Sequence, residues 1–88
     1  MMGKFKELIR GAEEVQPVHS EKWRNLTFDK DGKSYLGVRT YPTERAALDR
    51  HIEAYDEFLR GEVAHLNTLG GVISWEDVSY AIQIPVKA

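Results

Sequence analysis

Cysteine is absent from the sequence, which excludes disulfide bonds, thiolate catalysis and cysteine-ligated metals. No apolar run approaches the about 20 residues that span a bilayer, and the first residues lack the apolar stretch of a secretory signal. The net charge is also small, −2 at pH 7, so nothing indicates a general attraction to nucleic acid or anionic membrane. We therefore expect a cytoplasmic protein that does not bind membranes.

The sequence also has none of the short motifs that carry catalysis. Gly70-Gly71 is too short for a phosphate-binding loop, and no serine lies in a Gly-x-Ser-x-Gly context. His19, His51 and His65 are far apart and match no metal-ligand spacing. We therefore predict a non-enzymatic protein with no catalytic residue, no cofactor and no metal. The alternative of a small-molecule enzyme requires a pocket that the sequence does not indicate.

What is present is the composition of one small globular domain. The 88 residues are 42% hydrophobic and 30% charged, which indicates a folded rather than a disordered chain. We predict a single α+β domain over residues 1–88. Because a chain this short buries only about 60–65% of its unfolded surface, we expect a small core.

A β-hairpin is the feature around which the other predicted elements are arranged. Asp29-Lys30-Asp31-Gly32 is a turn signal, and it allows two registers. A two-residue turn sets Leu26 opposite Gly37, which scatters the apolar residues over both faces. A three-residue loop, with Gly32 left-handed in a bulge, sets Leu26 opposite Leu36. Because a buried face selects the register, we choose the three-residue loop.

In this register, strands near 22–29 and 33–41 give the hairpin two different faces. One face carries Leu26, Phe28, Leu36 and Val38, and we expect the long helix to cover it. On the other face Thr27 lies opposite Tyr35, and Trp23 lies opposite Arg39, in range of a cation–π contact worth about 0.5–1 kcal/mol. The candidate partner-binding residues on this aromatic-basic face are Trp23, Asn25, Lys33, Tyr35, Arg39 and Tyr41.

Helical spacing of apolar residues predicts a short helix over residues 3–14 and a long one that Thr43 caps. The apolar stripe of the long helix consists of Leu48, Ile52, Tyr55 and Leu59. The pattern continues over residues 62–69, which we interpret as helix, either continuous or bent at Gly61. A strand over 62–69 is the alternative.

Alternating polarity from Val78 to Val86 predicts a half-buried strand, preceded by a turn that Ser74 caps. Pro85 requires that this strand lie at a sheet edge or end there. The order is helix–strand–strand–helix–strand. It is an α+β fold in which a three-stranded antiparallel sheet has the long amphipathic helix packed on one face. An apolar strand at the edge also allows a homodimer.

The run from Tyr35 to Asp49, Tyr-Leu-Gly-Val-Arg-Thr-Tyr-Pro-Thr-Glu-Arg-Ala-Ala-Leu-Asp, is loosely similar to small DNA-binding domains. Such domains occur in plant AP2 factors and in integrase arm-binding regions. The resemblance covers residues 23–60 and implies a sheet that enters the major groove, with Arg24 and Arg39 as contacts. Those domains are strongly basic, unlike this chain, and Arg24 falls on the other face in the chosen register.

A second resemblance is to small phage or prophage proteins, through the compact cysteine-free α+β chain and its closing run Ser74 to Val86. It implies no biochemical activity. We therefore predict a protein-interaction module, a small phage or bacterial accessory protein that binds a protein partner or itself through a sheet face or edge strand. The alternative is nucleic-acid binding through Trp23, Tyr35 and Arg39. Cover by the N-terminal helix or a second copy would instead make the aromatic-basic face structural.

Overall fold

A computed structural model describes residues 22–86, so the predicted helix over 3–14 lies outside the described residues. The predicted α+β class is confirmed, although the element order has more strands than expected. In chain order the elements are β1 (Lys22–Asp29), β2 (Ser34–Leu36), α1 (Glu44–Leu59), β3 (His65–Thr68), β4 (Gly71–Ser74), a 3-10 turn (Trp75–Asp77) and β5 (Val78–Val86).

The main sheet is antiparallel, has three strands and runs in the order β2-β1-β5. The prediction that the last strand pairs with the hairpin is confirmed, since Leu26 lies opposite Ile82 and Phe28 lies opposite Tyr80. Among the described residues β5 is an edge strand, the position that Pro85 requires. The second sheet has two strands and consists of β3 and β4.

The predicted hairpin register is confirmed, with Leu26 opposite Leu36 and Thr27 opposite Tyr35. The three-residue loop closes through two hydrogen bonds, from the Asp29 N–H to the Lys33 carbonyl at 2.9 Å and from the Gly32 N–H to the Asp29 carbonyl at 3.0 Å. Gly32 has a φ of 85°, the left-handed conformation that the bulge requires.

The second strand is shorter than predicted, because the chain leaves the register after Gly37. Trp23 pairs with Tyr41 rather than with Arg39. The predicted pairing of Trp23 with Arg39, on which the expected cation–π contact depends, is therefore wrong. The Arg24 guanidinium donates to the carbonyls of Gly37 at 2.6 Å and Val38 at 2.8 Å. These bonds satisfy backbone groups that point out of the ladder, and they stabilise the bulge between Gly37 and Tyr41.

The helix covers the opposite face of the sheet from the one predicted. The Asn25 side-chain amide donates to the Ala47 carbonyl at 2.9 Å, and Thr27 is only 2% exposed. Small residues explain this choice, because buried Ala47 and Ala54 let the helix backbone approach the sheet closely. The face that carries Leu26 is therefore left without the helix, and Val38 lies in the bulge, 50% exposed.

The predicted apolar stripe of α1 is also largely outside the core. Ile52 is 54% exposed and Leu59 is 62% exposed, while the buried helix residues are Ala47 and Ala54. The predicted N-cap is confirmed, since the Thr43 hydroxyl accepts the Ala46 N–H at 3.0 Å. The helix thus presents its small residues to the sheet and leaves large apolar side chains exposed.

Trp75 packs against the same side of α1 that faces the sheet. Its side chain is 2% exposed, and its ring lies 5.5 Å from His51, 6.1 Å from Tyr55 and 6.3 Å from Phe58, measured between centroids. The Ser74 cap that begins its turn is confirmed, because the Ser74 hydroxyl accepts the Glu76 N–H at 3.2 Å.

The helical interpretation of residues 62–69 is wrong, and the strand alternative is confirmed. Helix α1 ends at Leu59, and Gly61 follows with a φ of 78°, which turns the chain out of the helix. Strand β3 then pairs with β4, with Leu66 opposite Ile73. The Leu69 N–H donates to the Leu36 carbonyl at 2.8 Å, which attaches this small hairpin to the end of β2.

Candidate functional site

The six residues predicted to bind a partner do not form one exposed surface. Asn25 is covered by α1 and bonded to its backbone. Trp23 and Tyr41 are half-buried and joined by two backbone hydrogen bonds of 2.8 Å. Arg39 is exposed, and its guanidinium has no hydrogen-bond partner within residues 22–86. These four side chains lie at the end of the sheet where the bulge is.

The other two predicted residues lie at the loop end of the hairpin. The Tyr35 hydroxyl donates to the Asp29 carboxylate at 3.2 Å, and the Lys33 ammonium lies 5.3 Å from the centre of the Tyr35 ring. Asp29 also accepts the Lys33 and Asp31 N–H groups, each at 2.9 Å. Burial acts to raise the pKa of Asp29, but these hydrogen bonds and the Lys33 charge outweigh it and lower the pKa. This cluster stabilises the loop.

The outer face of the sheet, opposite α1, is an apolar surface that no described element covers. Its apolar side chains are Leu26, Phe28, Leu36, Tyr80, Ile82 and Ile84. Tyr80 is 53% exposed and Ile82 is 42% exposed, and the rings of Phe28 and Tyr80 stack with centroids 4.8 Å apart. Stacking orders the surface but leaves much of it in contact with water.

The two edges of the three-stranded sheet differ in how they are covered. At the β2 edge, Gly37 bridges to Thr68, and the Leu69 N–H bonds to Leu36, so the β3–β4 hairpin covers the end of β2. At the β5 edge, no strand within residues 22–86 pairs with the outer side. The nine residues of β5, Val-Ser-Tyr-Ala-Ile-Gln-Ile-Pro-Val, include no charged side chain.

A cleft of about 400 Å³ lies on the helix side of the sheet, which the sequence did not indicate. It is formed by α1, β1, the segment 37–41, β3 and Trp75. The charged residues and histidines that line it are Arg39, Arg50, His51, Glu57 and His65. Spacing alone did not identify this set, because a bulge, a helix and an unpredicted strand bring it together.

The charge of Arg50, inside the cleft, is compensated by ion pairs, whereas Arg39 has no ion pair within residues 22–86. Arg50 donates to Glu53 at 2.7 Å and to Glu57 at 3.4 Å, and the hydrogen bond to Glu53 is the main cause of its raised pKa. Burial lowers the pKa of His51, whose ring lies against Trp75. Burial thus favours the neutral form of the His51 imidazole, and the Arg50 guanidinium is bonded to carboxylates.

Two kinds of site can be assessed directly for the described part of the chain. Within residues 22–86, no group of three or more histidine, aspartate or glutamate side chains is placed to hold a metal ion. In the same range, no helix is both long and apolar enough to cross a membrane.

Comparison with protein-family models, with curated proteins and with solved structures finds no match. The resemblance to phage proteins therefore stays a prediction.

Proposed function

We propose that this protein is a non-enzymatic protein-interaction module that associates with a second copy of itself through the outer face of the sheet and the adjoining edge of β5. The observation that carries the proposal is the apolar outer face of the sheet. Tyr80 and Ile82 remain exposed there, and both belong to β5, an edge strand that has no charged side chain. Contiguous exposed apolar surface of this kind is typical of protein-binding sites.

The small core gives a physical reason for association. Within residues 22–86 the buried hydrophobic side chains are Ala47, Ala54 and Trp75. Two of these are alanines, which contribute little apolar area, so the described fold gains limited hydrophobic stabilisation by itself. Contact of Tyr80, Ile82 and Ile84 with another chain adds apolar contact that the isolated sheet lacks.

A second copy is a suitable partner for the β5 part of this surface, because Tyr80, Ile82 and Ile84 are uncharged. Arg24 lies on the same face of β1, where its guanidinium bonds to the Gly37 and Val38 carbonyls. Most homo-oligomers are symmetric dimers in which the same patch meets itself. The uncharged β5 part of the patch can do so without placing like charges opposite each other. The alternative, nucleic-acid binding through Trp23, Tyr35 and Arg39, stays a prediction. Of these residues Arg39 is exposed, while Trp23 and Tyr35 are half-buried.

The mass of the protein in solution tests the proposal. Light scattering coupled to size exclusion should give twice the chain mass of 10.1 kDa for the wild type. Tyr80→Lys should shift the protein to the monomer, because it places a charge within the outer face. The matched control is Val72→Lys, since Val72 is 63% exposed but lies on the β3–β4 hairpin. A monomeric wild type, or equal effects of the two lysines, would contradict the proposal.

A further inference from the structure

We infer that the second copy binds edge to edge, with β5 of each chain antiparallel to β5 of the other and the twofold axis at Ile82. The two three-stranded sheets then become one six-stranded sheet. This inference rests on the proposed function and adds the geometry of the contact, since stacking of two outer faces would be a different arrangement. The edge-to-edge pairing follows from the direction in which the backbone N–H and carbonyl groups of β5 point.

The hydrogen bonds of β1 fix that direction. The Trp23 N–H and carbonyl both bond to Tyr41, and the Asn25 carbonyl accepts the Gly37 N–H at 2.8 Å, so odd-numbered residues of β1 bond toward β2. Backbone groups alternate between the two sides of a strand. Even-numbered residues of β1 therefore bond toward β5, where Leu26 lies opposite Ile82 and Phe28 opposite Tyr80.

The same alternation applies within β5. Tyr80, Ile82 and Ile84 are the partners of the even-numbered β1 residues, so their N–H and carbonyl groups point inward to β1. The N–H and carbonyl groups of Ala81 and Gln83 consequently point to the outer edge of β5, which no strand within residues 22–86 covers. Pro85 has the same parity, and its missing N–H therefore falls on the free edge and costs the sheet no hydrogen bond.

One register of the β5–β5 pair uses the outward-pointing backbone groups of Ala81 and Gln83 symmetrically. If Ile82 lies on the twofold axis, Ala81 of each chain is opposite Gln83 of the other, and each pair exchanges two backbone hydrogen bonds. The two Ile82 side chains meet on the outer face, and Tyr80 lies opposite Ile84 of the second copy. Residues near Ser79 do not contribute, because the pairing with β1 shifts register between Phe28 and Asp29.

The charge of the strand favours a second copy as the occupant of this edge. Soluble proteins usually protect a free edge with lysine, a bulge or an inward-pointing charge. Strand β5 has no charged side chain along its nine residues, and its two blunting features, the register shift near Ser79 and Pro85, lie toward its ends and leave Tyr80 to Ile84 regular. Antiparallel pairing of an uncharged strand with itself brings no like charges together and places isoleucine against isoleucine at the centre.

Amide hydrogen exchange, measured above and below the association concentration, tests the arrangement residue by residue. The Ala81 and Gln83 amides should be protected only in the concentrated sample, with exchange slowed by about tenfold or more. The Tyr80, Ile82 and Ile84 amides should be protected at both concentrations, because they bond to β1. They serve as controls within the same strand.

The possible results separate this inference from the proposed function. Concentration-dependent protection of Ala81 and Gln83 supports edge pairing. A dimer in which both amides exchange equally at the two concentrations overturns edge pairing but leaves association through the outer face intact. Protection of both amides in the dilute monomer means that chain outside residues 22–86 covers the edge, which overturns the inference. A protein that never associates overturns both.

Charge exchange at the axis provides a second test. Ile82→Lys and Ile82→Glu should each weaken self-association by about tenfold or more, because like charges directly opposite each other destabilise a strand pair. An equimolar mixture of the two variants should associate again. Ile52→Lys, at a residue 54% exposed on α1, is the control and should associate like the wild type. Failure of the mixture to recover would overturn the placement of Ile82 on the axis.

Discussion

The side-chain amide of Asn25 donates to the carbonyl of Ala47, at 2.9 Å, from the centre of β1 to the first half of α1. The Gln83 amide in turn donates to the Asn25 side-chain oxygen at 2.9 Å. One polar side chain therefore joins β1, β5 and the helix. This contact defines which face of the sheet is covered and leaves the more apolar face outside.

Replacement of Asn25 by alanine should lower the free energy of unfolding by about 1–3 kcal/mol, because the half-buried Gln83 amide loses its acceptor and the Ala47 carbonyl loses the donor that joins the helix to β1. Urea unfolding followed by circular dichroism measures the change. Asn67→Ala is the matched control, because Asn67 is exposed on β3. This variant should change the urea concentration at the unfolding midpoint little. Equal midpoints for the two variants would contradict the role of Asn25.

Trp75→Ala should cost about 3–5 kcal/mol, since it removes the one large buried side chain of the described fold. Trp23→Ala should cost less, because Trp23 is only half-buried. The measurement is urea unfolding of both variants, with Trp75→Phe as a milder substitution if Trp75→Ala does not fold. A larger loss at Trp23 than at Trp75 would contradict the assignment of the core.

The His51 ring, which lies beside Trp75, should have a pKa below its ordinary value. Burial lowers the pKa of His51 from 6.5 in the folded chain, so the unfolded chain takes up its proton first as the pH falls. Stability should therefore decrease from pH 6.5 down to the folded pKa. NMR titration of the His51 ring measures that pKa, and a midpoint at or above 6.5 would contradict the burial.

The Asp29 cluster should stabilise the hairpin loop in its ionised form. Because the folded pKa lies below the unfolded value of 3.8, the contribution is complete above pH 3.8 and is lost as the pH falls through the folded pKa. Asp29→Asn should therefore be less stable than the wild type at neutral pH, and the difference should narrow in acid. Asp31→Asn is the control, and an equal loss at both positions would argue against a specific cluster.

The sequence predicted local features of the fold more successfully than packing. The loop after Asp29, the register of Leu26 with Leu36, the Thr43 cap and the last strand each depend on neighbouring residues or on a single strand pair. They were predicted because turn chemistry and alternation are local signals.

The face that the helix covers depends on a contact between distant elements, and hydrophobicity alone gave the wrong answer. The prediction placed α1 over Leu26 and Phe28, whereas the close approach of Ala47 to Asn25 and Thr27 decided the packing. Small residues fit closely against a sheet even when a neighbouring face is more apolar.

The bulge and the strand over 65–68 were missed for a similar reason. The bulge is held by Arg24, whose bonds to the Gly37 and Val38 carbonyls have no signature in residue spacing. Strand β3 continues an apolar pattern that fits a helix equally well, and only Gly61 marked the change. The cleft depends on both features, so it was not predicted.

The most direct test of the central claim is a nuclear Overhauser measurement on a mixed sample, in which one half of the chains is isotope-labelled and the other half is not. Edge pairing through β5 predicts intermolecular signals between the Ile82 methyl groups of the two chains and between the Tyr80 ring and the Ile84 methyl groups. Intermolecular signals from Leu26 and Phe28 without any from Ile82 and Ile84, or no intermolecular signal at all, would contradict the claim.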